Sequence, residues 1–197
     1  MKKILFVAVL ALASVMAYAQ PRAIGARLGA FDGISYQHSL GESNMLEIEA
    51  GFGVYGRMTR WDAGHAAQFR GHNIQLAITY DWIDPFGATF PAVDKGEFHW
   101  YMGVGGAGGY GWYGYGLGLG YWWGGKQDWG FVGAAGRIGF EYDFWFPLQL
   151  SLDFRPTLGA GLMGYDDWDA HGNPTKTVKA GLYWDVLSIC LGVRYKF

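Results

Sequence analysis

Large apolar residues alternate with polar residues or glycine, with a period of two, along much of this chain. Leu46, Ile48 and Phe52 fall on one side of an extended segment, and Glu47 and Glu49 fall on the other. Successive side chains of a β-strand point to opposite faces, so this pattern predicts a strand with one apolar and one polar face. The same test predicts eight such strands, within residues 23–30, 33–40, 44–55, 73–82, 97–105, 132–144, 148–157 and 187–197.

The placement of aromatic and charged residues decides between two architectures that share this alternation. A β-sandwich in water buries its apolar faces, whereas a transmembrane barrel turns them to lipid. Here the apolar faces carry aromatic residues near the strand ends, as is typical of the two membrane interfaces. The polar faces carry both charge signs and many glycines, and the alternation continues to Phe197. We therefore favour the barrel, with an aromatic girdle of Trp82, Phe98, Trp100, Phe140, Tyr142, Phe144 and Tyr195.

The connections between the predicted strands differ in length on the two sides of the barrel. One side receives residues 41–44, 83–96 and 145–147, and the other receives residues 31–33, 56–71, 106–129 and 158–181. Short periplasmic turns and long extracellular loops are typical of outer-membrane barrels. A rival assignment makes residues 22–40 one strand and residues 113–123 an additional one, which places two long loops on the periplasmic side.

The predicted fold is all-β: an eight-stranded antiparallel transmembrane β-barrel with a filled polar lumen. Eight strands enclose a space just wide enough for side chains. An unpaired charge in that space is costly, so inward-facing charges must pair with one another. We expect a structural network that fixes strand register, and a small gated ion path is the alternative. The residues of this network are Arg27, Glu47, Glu49, Asp81, Arg137, Glu141, Asp143, Asp153, Arg155, Arg194 and Lys196.

The N-terminus has the three parts of a secretory signal peptide. Two lysines precede an apolar run over residues 4–15, and Ala17 and Ala19 form a small-x-small cleavage site. We expect cleavage after Ala19. The chain then divides into a signal peptide, residues 1–19, and an outer-membrane barrel domain, residues 20–197.

Charge and cysteine content exclude two further classes of protein. Removing the two signal-peptide lysines leaves 13 basic residues (15 − 2) against 17 acidic ones, a net charge of −4. Such a charge does not favour binding to nucleic acid. Cys190 is the single cysteine, so an exported domain stapled by internal disulfides is excluded. Its position on the lumen face of the last strand predicts a small packing residue, with an intermolecular disulfide as the alternative.

These segments resemble the small eight-stranded outer-membrane β-barrels of Gram-negative bacteria, the OmpX/OmpA-transmembrane/opacity-like class. The resemblance covers residues 22–197 and rests on AIGARLG, NMLEIEAGFG, FHWYMGVGG, GRIGFEYDFWFPLQLSLDFRP and GVRYKF. In that class a terminal Phe with an aromatic residue two positions earlier is similar to the signal read by the barrel-assembly machinery, and Tyr195 and Phe197 match it. The resemblance implies a bacterial outer-membrane location and contact with outer-membrane lipids and lipopolysaccharide. We also expect a monomer.

Catalytic chemistry has weak support in the sequence. Some eight-stranded barrels modify lipid A with His, Ser and an acidic residue, and the adjacent pair here is His38–Ser39. Adjacent strand residues point to opposite faces, so this pair cannot act as nucleophile and base, and we expect His38 at the membrane interface. Asp62, His65 and His72 fall in a predicted surface loop. We therefore expect no catalytic residue and no cofactor.

Residues 166–174 resemble a calcium-binding loop only in part. Asp167, Asp169, His171 and Gly172 take positions 1, 3, 5 and 6 of such a loop, but position 12 is Val178 instead of Glu. No predicted helix flanks the segment, so the signature fails. We expect a polar turn and no metal site, with weak divalent-cation binding as the minor alternative.

Residues 101–125 hold twelve glycines and eight aromatic residues, and they contain GxGxxG twice. The dinucleotide-binding fingerprint has to open a helix, but twelve interior glycines cost a helix on the order of 10 kcal/mol. We expect the stretch to end the fifth strand near Gly105 and to continue outside as a loop. Gly103 and Gly105 then leave room in a crowded lumen.

The expected role is structural or interactive. The three long loops are rich in Tyr and Trp, which suit contact with proteins or glycans. Adhesion, envelope integrity and contact with a host or cell-surface ligand are therefore the expected functions. A narrow ion or small-solute pore and a lipid A-modifying enzyme are the alternatives from other classes.

Overall fold

The protein, seen in a computed structural model, consists almost entirely of β-strands. The structure describes residues 21–60, 66–87, 90, 95–113, 127–168, 174–186 and 188–197. The strands are β1 (Pro21–Gly29), β2 (Phe31–Ser39), β3 (Asn44–Arg60), β4 (Ala66–Ile83), β5 (Gly96–Tyr113), β6 (Gln127–Phe144), β7 (Leu148–Phe154), β8 (Thr157–Trp168), β9 (Pro174–Asp185) and β10 (Ile189–Lys196). A short 3-10 turn, Pro85–Gly87, follows β4. In the described ranges, no helix has both the length and the apolar character that membrane crossing demands.

The strands close into a ring in which every neighbouring pair is antiparallel. The ring runs β1–β2–β3–β4–β5–β6, continues through β7 and β8, and returns to β1 through β10. β7 and β8 together take the place of one barrel strand, which is interrupted at Arg155 and Pro156. β9 and β10 together take the place of the next strand. Proline has no N–H for a ladder, which explains an interruption at that point. The prediction of an all-β, eight-stranded antiparallel barrel is confirmed.

The barrel narrows along its axis because the first hairpin is short. β1 and β2 have nine residues each, whereas β3 has 17 and β4, β5 and β6 have 18. Beyond the hairpin tip, β3 pairs directly with β9, from Met58–Tyr183 to Arg60–Gly181. The near end, which holds the 40–43 and 145–147 turns, therefore has eight strands, and the far end has six.

The predicted long loops were wrong in extent. Within these ranges the described residues, 56–60, 66–71, 106–113, 127–129, 158–168 and 174–181, belong to strands that extend the β3–β4, β5–β6 and β8–β9 hairpins. The alternation was hidden there because glycine, which is frequent in these segments, has no side chain to mark a face. The rival assignment is also wrong, since residues 22–40 form a hairpin that turns at Ala30, one residue before the predicted 31–33 link.

The two faces of the wall are those that the alternation predicts. Leu152 is 53% exposed on the outer face, and its neighbour Asp153 is 3% exposed on the inner face. The large apolar side chains exposed on the strands include Ile24, Leu28, Ile34, Phe52, Ile74, Leu76, Ile78, Trp82, Val104, Val132, Ile138, Phe140, Leu158, Leu162 and Leu191. The outside of the barrel is therefore apolar, and the inside carries the charges.

A closed barrel of this kind predicts a heat-dependent mobility in SDS gels. We expect the unboiled protein to keep its ladders in SDS and to migrate differently from the boiled protein, because a closed sheet has no free edge from which to unzip. Gel electrophoresis of detergent-purified protein with and without boiling measures this. Identical mobility, together with full solubility without detergent, would contradict the membrane barrel.

Candidate functional site: the barrel interior

Charged side chains fill the near-end part of the interior. Glu47 is the centre of this group, because three arginines reach it from three other strands. Arg137 Nη1 lies 2.5 Å from its Oε2, and Arg194 Nη2 and Arg27 Nη1 lie 2.7 Å and 3.4 Å from its Oε1. The Gln37 amide donates to Oε2 at 2.9 Å. One buried carboxylate of β3 thus joins β1, β2, β6 and β10.

Two further carboxylates extend the group towards the middle of the barrel. Arg27 forms ion pairs with Glu49 and with Asp153, on opposite sides of the lumen. Arg155 pairs with Glu49, and Arg137 Nη2 reaches Asp153 Oδ2 at 3.2 Å. Each of these groups is buried. The ion pairs therefore compensate for the hydration that the charges lose on burial.

A third set of ion pairs lies at the near end. Asp143 accepts from Lys196 at 3.1 Å, and Arg22 pairs with Glu141 and lies 3.9 Å from Asp143. Arg22 was missed in the sequence because an even-numbered residue of β1 should face outward. The ladder between β1 and β2 shifts register between Pro21 and Ala23, and such a bulge re-aims a side chain.

With Arg22 included, the charges of the described interior balance. Asp81, the remaining acid, accepts from Arg137 at 2.9 Å. The bases are Arg22, Arg27, Arg137, Arg155, Arg194 and Lys196, and the acids are Glu47, Glu49, Asp81, Glu141, Asp143 and Asp153. Six positive and six negative groups leave no net charge to be stabilised in a space of low dielectric.

Tyr101 is a member of this group that the sequence did not single out. It is fully buried. Its hydroxyl donates to Asp153 Oδ2 at 3.2 Å and accepts from Arg137 Nη2 at 2.9 Å. The Arg137 guanidinium also lies 4.5 Å from the centre of the tyrosine ring, a cation–π distance. The alternation along β5 places Tyr101 on the inward face, which could have identified it. It was not singled out because an aromatic residue next to the predicted girdle does not suggest a polar role.

Among the described residues, the far-end interior contains a cluster of stacked aromatic rings. The Phe131 and Tyr183 rings are stacked with centroids 3.7 Å apart, and Trp129 stacks on both at 5.9 Å and 6.1 Å. Ala77, Ala107, Ala135 and Met163 complete this cluster. We call it the aromatic layer. Its members come from β4, β5, β6, β8 and β9, which all belong to the six-stranded part of the barrel.

Glycine makes room for the aromatic layer and for the charges. A Cβ on Gly109 would lie 2.6 Å from a Phe131 ring carbon, and one on Gly111 would collide with the Trp129 indole. A Cβ on Gly103 would collide with the Asp81 carboxylate. The inward-facing glycines of the Gly-rich stretch therefore leave the space that the large side chains of neighbouring strands occupy. Those of residues 103–111 lie within a strand and open no helix.

The remaining predicted positions divide into three outcomes. His38 is 2% exposed, and its Nδ1 is 2.9 Å from the Tyr36 hydroxyl; its place at the membrane interface stays a prediction. Cys190 is buried in the lumen, where its thiol contacts the Phe31 carbonyl oxygen at 3.7 Å. Residues 1–20, with the signal peptide, and Asp62 and His65 lie outside the described residues.

His72 lies in β4, and residues 166–168 lie in β8. The rest of the suggested calcium loop, through residue 173, lies outside the described residues. Within the described ranges, no three His, Cys, Asp or Glu side chains are arranged to hold a metal ion.

Comparison with known proteins yields a likeness of fold. No protein-family model matches the chain, and no curated protein matches it. A solved structure described as a major outer membrane protein from Thermus thermophilus is similar, with a TM-score of 0.52 and 15% sequence identity. The similarity covers 91% of this chain and 100% of that one. At this identity the likeness establishes the fold, and it agrees with the closed barrel found here.

We expect a large loss of stability when the central carboxylate, that of Glu47, is replaced. In Glu47→Gln an amide of the same shape faces three arginines, which leaves an uncompensated positive charge in the lumen. Breaking a buried ion pair in this way costs about 3–5 kcal/mol. Urea unfolding of the refolded protein, followed by tryptophan fluorescence, measures the free energy of unfolding.

The matched control is Glu42→Gln, the same change at an exposed turn position. We expect it to shift stability by less than about 0.5 kcal/mol. Equal midpoints for the two variants would show that Glu47 does not hold the barrel together.

Proposed function

We propose that this chain is an integral outer-membrane barrel that is closed to solute flow and has a structural or interactive role. The observation that carries the proposal is the inverted distribution of side chains. Ile34, Phe52 and Val132 are 64%, 63% and 70% exposed on the outside, whereas arginines and carboxylates are buried inside. In water this arrangement would expose far more contiguous apolar surface than folded proteins tolerate. In a bilayer it is the expected one.

Two barriers in series support a closed lumen. The ion-paired group crosses the near-end interior from β1 to β3, β6 and β7. The aromatic layer then fills the narrower far-end part. A hydrated ion crossing the barrel would have to break several buried ion pairs and also displace stacked rings. These two barriers favour a structural plug over the pore alternative.

The enzyme alternative has less support than the structural role. His38 is hydrogen-bonded to Tyr36, and Ser39 lies on the opposite face of β2, since it is the next residue. A nucleophile needs a base within hydrogen-bonding reach. A lipid A-modifying activity would therefore have to use other residues.

The extended hairpins support a role in contact outside the membrane. β5 and β6 remain paired as far as Tyr113–Gln127, well beyond the tip of the first hairpin. They lead to residues 114–126, which are rich in Gly, Tyr and Trp. Aromatic side chains of this kind give large contact areas at low entropic cost. We propose that this end presents a surface for adhesion or for host contact, with lipopolysaccharide as its neighbour in the membrane.

The closed lumen predicts electrical silence. Refolded protein added to a planar lipid bilayer should give no stepwise current, because both barriers remain in place. A porin added to the same bilayer serves as the positive control, and the heat-dependent gel shift confirms that the sample is folded. Reproducible channels from such a sample would replace the structural proposal with the pore.

The contact role predicts a loss of binding when the longest far-end connection is removed. Cells in which a four-residue turn replaces residues 114–126 should bind immobilised glycans and extracellular-matrix proteins at background level. Trp145→Ala, which removes an exposed aromatic residue at the opposite end, should leave binding unchanged. Undiminished binding after the replacement, with equal protein in the outer membrane, would contradict the contact role.

A further inference from the structure

A groove of about 570 Å³ lies at the near end of the barrel, where β3 begins and β4 ends. Asn44, Trp82 and Met102 line it from one row across three strands, because Asn44 pairs with Trp82 and Trp82 pairs with Met102. Ser43 and residues 83–86 complete the lining. Trp82 is 39% exposed, on the outer face of the wall. The groove therefore opens to the surroundings of the barrel instead of the lumen.

The turn after β4 holds one side of the groove in a fixed shape. The Ile83 N–H donates to the Ser43 carbonyl oxygen, and the Asp84 N–H donates to the Trp100 carbonyl oxygen, both at 2.8 Å. Asp84 and Phe86 have φ values of +46° and +63°, which residues with a Cβ rarely adopt. Such conformations persist where the surrounding structure enforces them, and they are frequent at ligand sites. Here the turn leaves Phe86 91% exposed beside the groove.

Asp84 is the charged residue among the described residues that line the groove. Its Oδ1 accepts from the Trp100 N–H at 3.2 Å, and its Oδ2 lies 2.5 Å from His99 Nδ1. A carboxylate has about four acceptor positions, so Asp84 can accept further hydrogen bonds. His99 Nε2 also lies 3.4 Å from Glu97 Oε2. Even a protonated His99 therefore faces two carboxylates, and this cluster keeps a net negative charge.

The lining indicates the chemistry of a ligand. Trp82 and Met102 offer an apolar surface, and Asp84 offers a negative charge at its edge. Tryptophan is typical of the depth at which lipid headgroups meet hydrocarbon chains, and its ring attracts cations. A lipid with a cationic headgroup has both the apolar and the charged part that this groove complements. An anionic headgroup without a cation would be repelled.

We propose that this groove binds a phospholipid whose headgroup carries a primary ammonium group. The proposal rests on the proposed membrane location of the barrel. The ammonium donates a hydrogen bond to the Asp84 carboxylate, and the upper part of an acyl chain lies against Trp82 and Met102. A trimethylammonium headgroup has no N–H to donate, and a glycerol headgroup has no positive charge, so both are held less tightly.

Native mass spectrometry of the refolded protein tests this preference. The detergent solution contains equal amounts of phosphatidylethanolamine, phosphatidylcholine and phosphatidylglycerol, and the measurement counts each lipid that the protein retains. We expect the wild type to retain phosphatidylethanolamine about fivefold more than either other lipid, as one charge-assisted hydrogen bond predicts. Asp84→Asn should abolish this preference. Asparagine tolerates a positive φ, so the turn should keep its shape.

Two further variants complete the test. Asp32→Asn makes the same change at an exposed position of the first hairpin and should keep the wild-type preference. Asn44→Lys introduces a cation into the groove and should shift retention towards phosphatidylglycerol, even if Asp84→Asn does not fold. Equal retention of the three lipids by folded wild type, or an unchanged preference in both groove variants, would overturn the proposal. Absence of the heat-dependent gel shift in the wild type would instead overturn the membrane function on which the groove rests.

Discussion

Charge neutrality inside a closed wall is the constraint on which the rest of this structure depends. A side chain that faces the lumen cannot turn back to bulk water, so each buried charge must meet its opposite across the barrel. Glu47 meets this condition with three arginines, and Arg27 meets it with two carboxylates on different strands. The same contacts fix the register of strands that are not neighbours, because a slip of one residue would turn every charge towards lipid.

The change from eight strands to six divides the interior into two parts with different chemistry. The wider part accommodates long charged side chains, and the narrower part accommodates flat rings stacked over glycines. In a barrel of this kind, packed side chains occupy the described interior. This packing supports the proposed envelope or contact role more than transport along the axis. The same change is visible along β3, where the ladder with β2 ends at Phe31–Gly53 and the ladder with β9 begins at Met58–Tyr183.

The accuracy with which a strand could be predicted from the sequence depended on how clearly apolar and polar residues alternate in it. β7 could be predicted almost residue by residue, because Leu148, Leu150 and Leu152 alternate with polar neighbours. The far-end half of β5 could not, because glycine occupies both its faces from residue 105 onward and shows no preference for either. The inward direction of Arg22 was missed for a different reason. The β1–β2 ladder shifts register between Pro21 and Ala23, and this shift reverses the direction that the alternation predicts for the Arg22 side chain.

The sequence by itself determined the fold class and the direction of most strand side chains, because a period of two acts within a single strand and needs no partner to be read. It also indicated the inward direction of the other paired charges, but not that of Arg22. The partners of each charge, the aromatic layer, and the direct pairing of β3 with β9 were decided by the tertiary structure. These features depend on strand lengths and on register around the whole ring, which are set only when all the strands close on one another.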